Sequence, residues 1–185
     1  MWKFITILVI VALISLIWWN MSTKNSLYFD GETVVQLPKP LFIANKNQEL
    51  SFSLRFANVI NDGVIVLMKS GDDFQIIYVQ NGKVILNSNN DQLVILKDDI
   101  KSNRWTTFSI SIPNKFKGGD VYFGANPLKN IPVNNLSVDD ESPVVQFPTS
   151  GLIACTSDCY LDDVNLSTLF KNEGIPACWN IWMRM

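Results

Sequence analysis

The hydrophobic and polar positions of this chain follow two patterns, one in the first twenty residues and another in the rest. Residues 4–19, FITILVIVALISLIWW, form an apolar run of 16 residues without a charge. Beyond it, apolar and polar residues alternate over short stretches, as in ELSFSLRF (49–56) and TTFSISIP (106–113). Such alternation is typical of strands that bury one face. The patterns therefore predict one apolar helix followed by a β-domain.

The N-terminal run predicts an uncleaved transmembrane anchor over residues 1–20. A helix of this length spans about 24 Å, slightly less than the ~30 Å hydrocarbon core of a bilayer. Trp2, Trp18 and Trp19 flank the run, where aromatic side chains favour the headgroup region, and Lys3 can reach outward. A buried core helix and a cleaved signal peptide are the alternatives, but WWNM lacks the small residues of a cleavage site.

Residues 21–26 form a polar linker, and several short strands are predicted after it. FQIIYVQNGKVILN places Asn81 and Gly82 between two β-rich runs, the composition of a type I′ hairpin. Further strand-like runs are GVIVLM (63–68), QLVILK (92–97), DVYFGA (120–125) and PVVQF (143–147). Many short strands separated by turns predict an antiparallel two-sheet sandwich.

The composition excludes several classes of site. The 185 residues carry a net charge of −2 and include no histidine. Without imidazole there is no Ser-His-Asp or Cys-His nucleophilic machinery, and no zinc site that needs a histidine ligand. A weakly acidic chain of mixed charge does not show the excess of basic residues that nucleic-acid binding needs. We therefore expect neither a nucleic-acid partner nor histidine-based catalysis.

The stretch CYLDDVNLS (159–167) places Asp162 beside Asp163. In a continuous strand over YLDDVNL the two carboxylates would point to opposite faces. They could not then flank one glycosidic bond, as the carboxylate pair of a glycosidase does. We interpret Asp162 as part of a polar strand, with a ligand of a rim calcium site as the alternative. The protein is therefore expected not to be an enzyme, and a carboxylate-only glycosidase is the enzymatic alternative.

The order of the segments resembles that of a laminin G-like domain, of the concanavalin A-like jelly-roll class. The similar segments are LYFDGETVVQLP (27–38), ELSFSLRF, NDGVIVLMKSGDDFQIIYVQNGKVIL (61–86), RWTTFSISI (104–112), DVYFGANP (120–127) and CYLDDVNLS. Thr106 stands where the family often has a histidine. RWTTFSIS and YLDDVNL also resemble carbohydrate-binding modules with a galactose-binding-like jelly roll. The resemblance implies an all-β, two-sheet antiparallel jelly-roll sandwich over residues 27–167, followed by a tail at 168–185.

A laminin G-like domain implies a recognition or adhesion module that binds a glycan or a protein at a surface. Aromatic side chains stack on sugar rings when exposed, and the candidate ligand contacts are Tyr78, Trp105 and Tyr122. Many domains of this family hold calcium at one rim. The candidate oxygen ligands in this chain are Asp72, Asp73 and Asp91, and the alternative is that these are solvated loop carboxylates. No other cofactor is expected.

The three cysteines, Cys155, Cys159 and Cys178, allow at most one intramolecular disulfide. In laminin G-like domains a cysteine near the closing strand is commonly bridged. Either Cys155 or Cys159 can be the partner of Cys178, and we assign the pair Cys159–Cys178. Such a bond would tie the tail to the sandwich in an oxidising compartment. The remaining thiol is expected to be buried.

The final segment, CWNIWMRM (178–185), is unusually apolar for a chain end. Trp179 and Trp182 are expected to contact a partner, because exposed apolar patches usually mark interaction sites. The alternative is that the tail packs back on the sandwich. Asn135 and Asn165 lie in N-x-S sequons and are glycosylation candidates if the domain faces a lumen.

The apolar N-terminal segment is followed closely by a basic residue, Lys24. This arrangement is similar to the sorting signal of envelope proteins of occluded insect viruses, including the baculovirus per os infectivity factors. That resemblance implies a structural subunit of an envelope entry complex, with other envelope proteins as partners. The expected location is thus a membrane, at a cell surface or in a viral envelope.

Overall fold

The computed structural model describes residues 2–23, 26–57, 59–71, 73–88, 91–94, 100–124, 148 and 150–178. The helices are α1 (Trp2–Thr23) and α2 (Ser167–Asn172), with 3-10 turns at Lys39–Leu41 and Asn114–Phe116. The strands are β1 (Leu27–Asp30), β2 (Val35–Gln36), β3 (Gln48–Arg55), β4 (Gly63–Ser70), β5 (Asp73–Gln80), β6 (Lys83–Ser88), β7 (Asp91–Val94), β8 (Thr106–Ile112), β9 (Asp120–Phe123), β10 (Ile153–Leu161) and β11 (Val164–Asn165).

The strands form two antiparallel sheets that enclose one hydrophobic core. The first sheet has the order β1-β10-β3-β8, with β11 paired to β10, and the second has the order β2-β9-β4-β5-β6-β7. Aromatic rings from both sheets meet in the core, where Phe123 of β9 lies 5.1 Å from Phe29 and 5.3 Å from Phe52, measured between ring centroids. The predicted two-sheet antiparallel sandwich is therefore confirmed.

The structure contains the hairpin that the sequence predicts at Asn81 and Gly82. Gln80 pairs with Lys83, so Asn81 and Gly82 form a two-residue connection between β5 and β6. Both residues have positive φ, at 51° and 74°. Asparagine and glycine tolerate this conformation better than other residues, which is why they favour type I′ turns. The predicted Asn-Gly hairpin is confirmed.

Strand β10 contains a β-bulge that the sequence pattern did not reveal. Ser157 pairs with Ser53, but the next pair is Tyr160 with Ser51, so β10 has one residue more than its partner. The backbone at Asp158 has a φ of 52°. An extra residue reverses which side chains face inward. Even-numbered residues of β10 therefore face the core before the bulge, and odd-numbered residues face it afterwards.

The two adjacent aspartates lie in a turn and not in a continuous strand, so that expectation was wrong. Leu161 of β10 pairs with Val164 of β11, which leaves Asp162 and Asp163 as a two-residue connection. Asp162 has a φ of 51°. Aspartate enters the left-handed region more readily than most residues, and this allows the chain to reverse here.

The domain core continues past residue 167, where the sequence had suggested its end. Phe170 of α2 is fully buried, and its ring lies 5.7 Å from Phe29 and 5.1 Å from Phe123. Farther along, the N–H of Tyr28 donates to the carbonyl of Pro176 at 2.9 Å, so the chain packs back along β1. The part of the tail that contains Trp179 and Trp182 lies outside the described residues.

Helix α1 covers the predicted anchor and continues to Thr23. Its apolar side chains between residues 5 and 16 are exposed, with Leu8 at 69% and Leu16 at 64% of full exposure. Across the described parts of the chain, no helix combines the length and apolarity that a membrane crossing needs.

Candidate functional site

The outer surface of the first sheet is polar because β3 and β8 alternate strictly. Their apolar side chains face the core, while the intervening hydroxyl and arginine side chains face outward. We call this surface the polar face, and it consists of Tyr28, Ser51, Ser53, Arg55, Trp105, Thr107, Ser109, Ser157 and Tyr160. The strand register decides which of these residues become neighbours.

One cross-strand row of the polar face combines aromatic rings with a cation. Tyr28 pairs with Cys155, and Cys155 pairs with Arg55. Trp105 immediately precedes Thr106, which pairs with Leu54, so it lies next to Arg55. The guanidinium carbon of Arg55 is 5.4 Å from the centre of the Trp105 ring, within the range of a cation–π contact. Trp105 is 36% exposed, so a ligand can reach it.

The neighbouring rows of the polar face supply hydroxyl groups. Ser157, Ser53 and Thr107 form one row, and the hydroxyls of Ser53 and Thr107 hydrogen bond at 2.8 Å. Tyr160, Ser51 and Ser109 form the next. Each hydroxyl both donates and accepts hydrogen bonds. The polar face can therefore contact a ligand that carries many hydroxyl groups.

The charge states of the polar face follow from its partial burial. Burial lowers the pKa of Arg55, but an arginine pKa is so high that the side chain remains a cation at neutral pH. Burial, and then the nearby carboxylate of Asp30, raise the pKa of Tyr28. The aromatic row therefore presents one positive charge and an uncharged phenol.

Sequence reasoning found only part of this surface. Trp105 was a predicted ligand contact, but Arg55 and Tyr160 were not predicted. The alternation in SFSLR and TTFSIS was the available signal, because it places hydroxyls and Arg55 on one face.

The other two predicted ligand contacts lie on the second sheet. Tyr78 is fully buried, so the prediction that it contacts a ligand is wrong. It packs with Val64, Leu67, Ile76 and Ile85, which face away from the main core and form what we call the apolar face. The sequence shows that Tyr78 is aromatic, but it could not show that the apolar face around this residue is buried.

Tyr122 packs against the apolar face and is only half-buried. Burial, and then the nearby carboxylate of Asp120, raise its pKa. Because Tyr122 and Trp105 belong to opposite outer surfaces of the sandwich, the structure does not bring the predicted contacts together.

The predicted calcium ligands are only partly described. Asp73 forms an ion pair with Lys115, with 3.4 Å between Nζ and Oδ2. Asp72 lies outside the described residues, and for Asp91 only the backbone of β7 is described. Where the structure describes side chains, no group of three or more cysteine or carboxylate residues is placed to hold a metal. Calcium binding stays a prediction.

Asp162 has a structural role at the start of β3. Its Oδ1 accepts the Glu49 N–H at 2.9 Å, and its Oδ2 accepts Lys46 Nζ at 3.0 Å. Its own N–H donates to the Glu49 carbonyl at 2.8 Å. The bond from the Glu49 N–H, and then that from Lys46, lower the pKa of the carboxylate. These bonds fasten the β10–β11 turn to β3.

The disulfide joins Cys155 to Cys178, with Cα atoms 5.7 Å apart, so the assignment of Cys159 to Cys178 was wrong. The bulge at Asp158 is the physical reason. It turns Cys155 toward the outer surface near β1, where the chain returns, and turns Cys159 into the core. The sequence spacing of four residues would otherwise have placed both on one face.

Cys159 is a buried free thiol. Its sulfur lies 2.8 Å from the Thr156 hydroxyl, and burial raises its pKa to about 12. A thiol with such a pKa stays protonated and unreactive at neutral pH. The expectation of a buried third cysteine is therefore confirmed.

The glycosylation candidates have different positions. Asn165 is exposed on β11, where its side chain accepts the Ser167 N–H at 2.8 Å and donates to the Tyr160 hydroxyl at 3.3 Å. Asn135 lies outside the described residues. Modification of either asparagine stays a prediction.

Comparison with known proteins gives a likeness of fold. No protein-family model matches the chain, and no curated protein matches it. The structure is similar to the LG1-3 region of the laminin alpha2 chain, with a TM-score of 0.49 and 15% sequence identity. The similarity covers 74% of this chain and 30% of that one, so this chain spans less than a third of its length.

Proposed function

We propose that this protein is a recognition module that binds a glycan through the polar face. The observation that carries the proposal is the exposed Trp105 ring with Arg55 stacked on it, beside two rows of hydroxyl groups. An aromatic ring offers a flat apolar surface to a sugar ring, while hydroxyls and a guanidinium bond to sugar hydroxyls.

The composition of the polar face favours a glycan over a protein as its ligand. The centre of a stable protein interface is apolar and poor in charge. On the polar face the central strands instead present Ser51, Ser53 and Arg55, with Thr107 and Ser109 beside them. A ligand rich in hydroxyl groups matches this surface better than an apolar protein patch does.

A glycan array probed with the full chain in mild detergent tests the proposal. We expect Trp105→Ala to weaken binding of the best glycan about tenfold or more, which corresponds to a loss of at least ~1.4 kcal/mol of binding free energy. Tyr122→Phe on the opposite surface is the matched control and should bind like the parent. An array without any bound glycan, or equal binding by Trp105→Ala, would contradict the proposal.

We also propose that α1 attaches this module to a membrane, at a cell surface or in a viral envelope. Leu8, Val9, Leu13 and Ile14 are all about half exposed or more, and they point to different sides of α1. A helix that is apolar on every side is normally covered by protein or lipid.

Protease accessibility and alkaline extraction of sealed membranes test this attachment. The parent chain should sediment with the membranes, and Val9→Lys/Leu13→Lys should be released, because charges in hydrocarbon are costly. Recovery of the intact parent chain in the soluble fraction would rule out attachment.

A further inference from the structure

The edges of the first sheet are protected unequally. At one edge, Leu27 of β1 is bridged to Ala177, and the N–H of Tyr28 donates to Pro176. At the opposite edge lies β8, with seven residues, and no described strand pairs with its outer side. The second sheet ends in short strands, β2 with two residues and β7 with four. An edge strand presents unpaired N–H and C=O groups to any chain that fits against it.

Strand β8 lacks the features that normally block pairing at an edge. Its sequence, TTFSISI, contains no charge, no proline and no glycine. Its pairing with β3 is regular from Thr106 to Ile112, without a bulge. Proteins usually protect exposed edges with lysine, proline or bulges. A regular, uncharged edge of this length is suited to accept another strand.

We propose that β8 pairs antiparallel with β8 of a second copy of this chain, centred on Ser109. This register pairs all seven residues. It sets Thr107 opposite Ser111 on the polar side and Phe108 opposite Ile110 on the core side. Ser109 lies opposite Ser109 of the second copy. Thr106 lies opposite Ile112 at the ends of the pairing, every other pair joins polar with polar or apolar with apolar residues, and no charges oppose each other. Such a contact is isologous and closes as a twofold dimer.

Pairing at β8 would join two sheets of the first type into one continuous sheet. The contact uses backbone groups of β8, and it does not depend on whether the polar face binds a glycan. Dimerisation and glycan binding can therefore fail separately, and their tests use different variants.

Cysteine cross-linking of the full chain in mild detergent tests the register. Across the axis, the Cβ atoms of the two Ser109 residues would lie about 5 Å apart. Two Ser111 residues would lie about 13 Å apart, too far for a disulfide. Mild oxidation should therefore link Ser109→Cys into dimers and leave Ser111→Cys monomeric. An equimolar mixture of Thr107→Cys and Ser111→Cys should form mixed dimers.

The native cysteines should not interfere, because Cys159 is buried and Cys155 is bonded to Cys178. Equal cross-linking of Ser109→Cys and Ser111→Cys would show random collision and would overturn the proposed register.

Sedimentation without introduced cysteines provides an independent measurement. The parent chain should show a dimer mass, and Ser109→Lys and Ser109→Glu should each shift it toward the monomer, because like charges would face each other across the axis. Mixing these two variants should restore the dimer. Ser111→Lys is the matched control, since its neighbours are Glu49 in its own sheet and Thr107 of the second copy. A monomer mass for the parent chain at every concentration would overturn the proposal.

Discussion

The outer surfaces of the two sheets are built from the same alternating backbone but have opposite character. On the polar face, Ser51, Ser53 and Arg55 alternate with buried leucine and phenylalanine residues. On the apolar face, Val64 and Leu67 are buried, like the core residues beside them. The first sheet therefore has a polar outer surface, whereas the second also buries apolar side chains on its outer surface.

This difference is visible in the composition of the strands. A strand with one buried face alternates between apolar and polar residues, whereas a strand buried on both faces is an almost continuous apolar run. TTFSISI of β8 is of the first kind, and GVIVLM of β4 is of the second. Surface residues available for recognition are thus expected on the strands that alternate.

The largest predicted effect compares two tyrosines, one on each outer surface. Tyr78→Ala should lower the free energy of unfolding by about 3–5 kcal/mol, because it removes a fully buried aromatic side chain. Tyr160→Ala, at a half-buried position of the polar face, should cost about 1 kcal/mol or less. Chemical denaturation of both variants measures the contrast. Similar losses would mean that the two surfaces do not differ in burial.

The next prediction concerns the disulfide beside the polar face. Cys178→Ser should lower the free energy of unfolding by about 3 kcal/mol, as expected for opening a loop with a separation of 23 residues. Cys155→Ser should have the same effect, and the double variant should add little more. Thermal unfolding measures all three. Additive losses would indicate that the cysteines stabilise the fold independently.

A smaller effect is expected at a buried polar residue on the apolar side of the second sheet. Asn87 is fully buried on β6, opposite Ile76, and neither polar atom of its side chain has a hydrogen-bond partner among the residues that the structure describes. Asn87→Leu should therefore raise the free energy of unfolding by about 1 kcal/mol, because it removes an uncompensated desolvation cost. Lys83→Leu, at the exposed start of the same strand, is the control and should not stabilise. Destabilisation by Asn87→Leu would contradict this account.

The smallest predicted effect is a dependence of stability on pH. It arises at Asp162, in the turn between β10 and β11 of the first sheet. The folded state lowers the pKa of Asp162, so its contribution to stability is present above the unfolded pKa of about 3.9 and is lost as pH falls through the folded value. Asp162→Asn should unfold at a lower temperature than the parent at pH 5–8, and the gap should close on acidification.

Asp163→Asn, at the exposed neighbouring position, is the control for this experiment and should match the parent at every pH. A gap between Asp162→Asn and the parent that persists unchanged at pH 2 would exclude the carboxylate as its cause.

Much of the fold was predictable because its signals are local. The alternation in β3 and β8 and the Asn81-Gly82 hairpin depend on residues close together in the chain. The candidate site was predicted only in part. Trp105 was recognised as aromatic, but its partnership with Arg55 depends on a register between strands about fifty residues apart in sequence.

The sequence by itself determined the apolar N-terminal helix, the strand pattern and the absence of histidine chemistry. The tertiary structure alone decided that Tyr78 is covered, that Phe170 belongs to the core and that Cys155 forms the disulfide. In the last case, a single extra residue at Asp158 exchanges the inward and outward sides of β10. Periodicity shows that a strand has two sides, but only its partners decide which side is inside and where that assignment reverses.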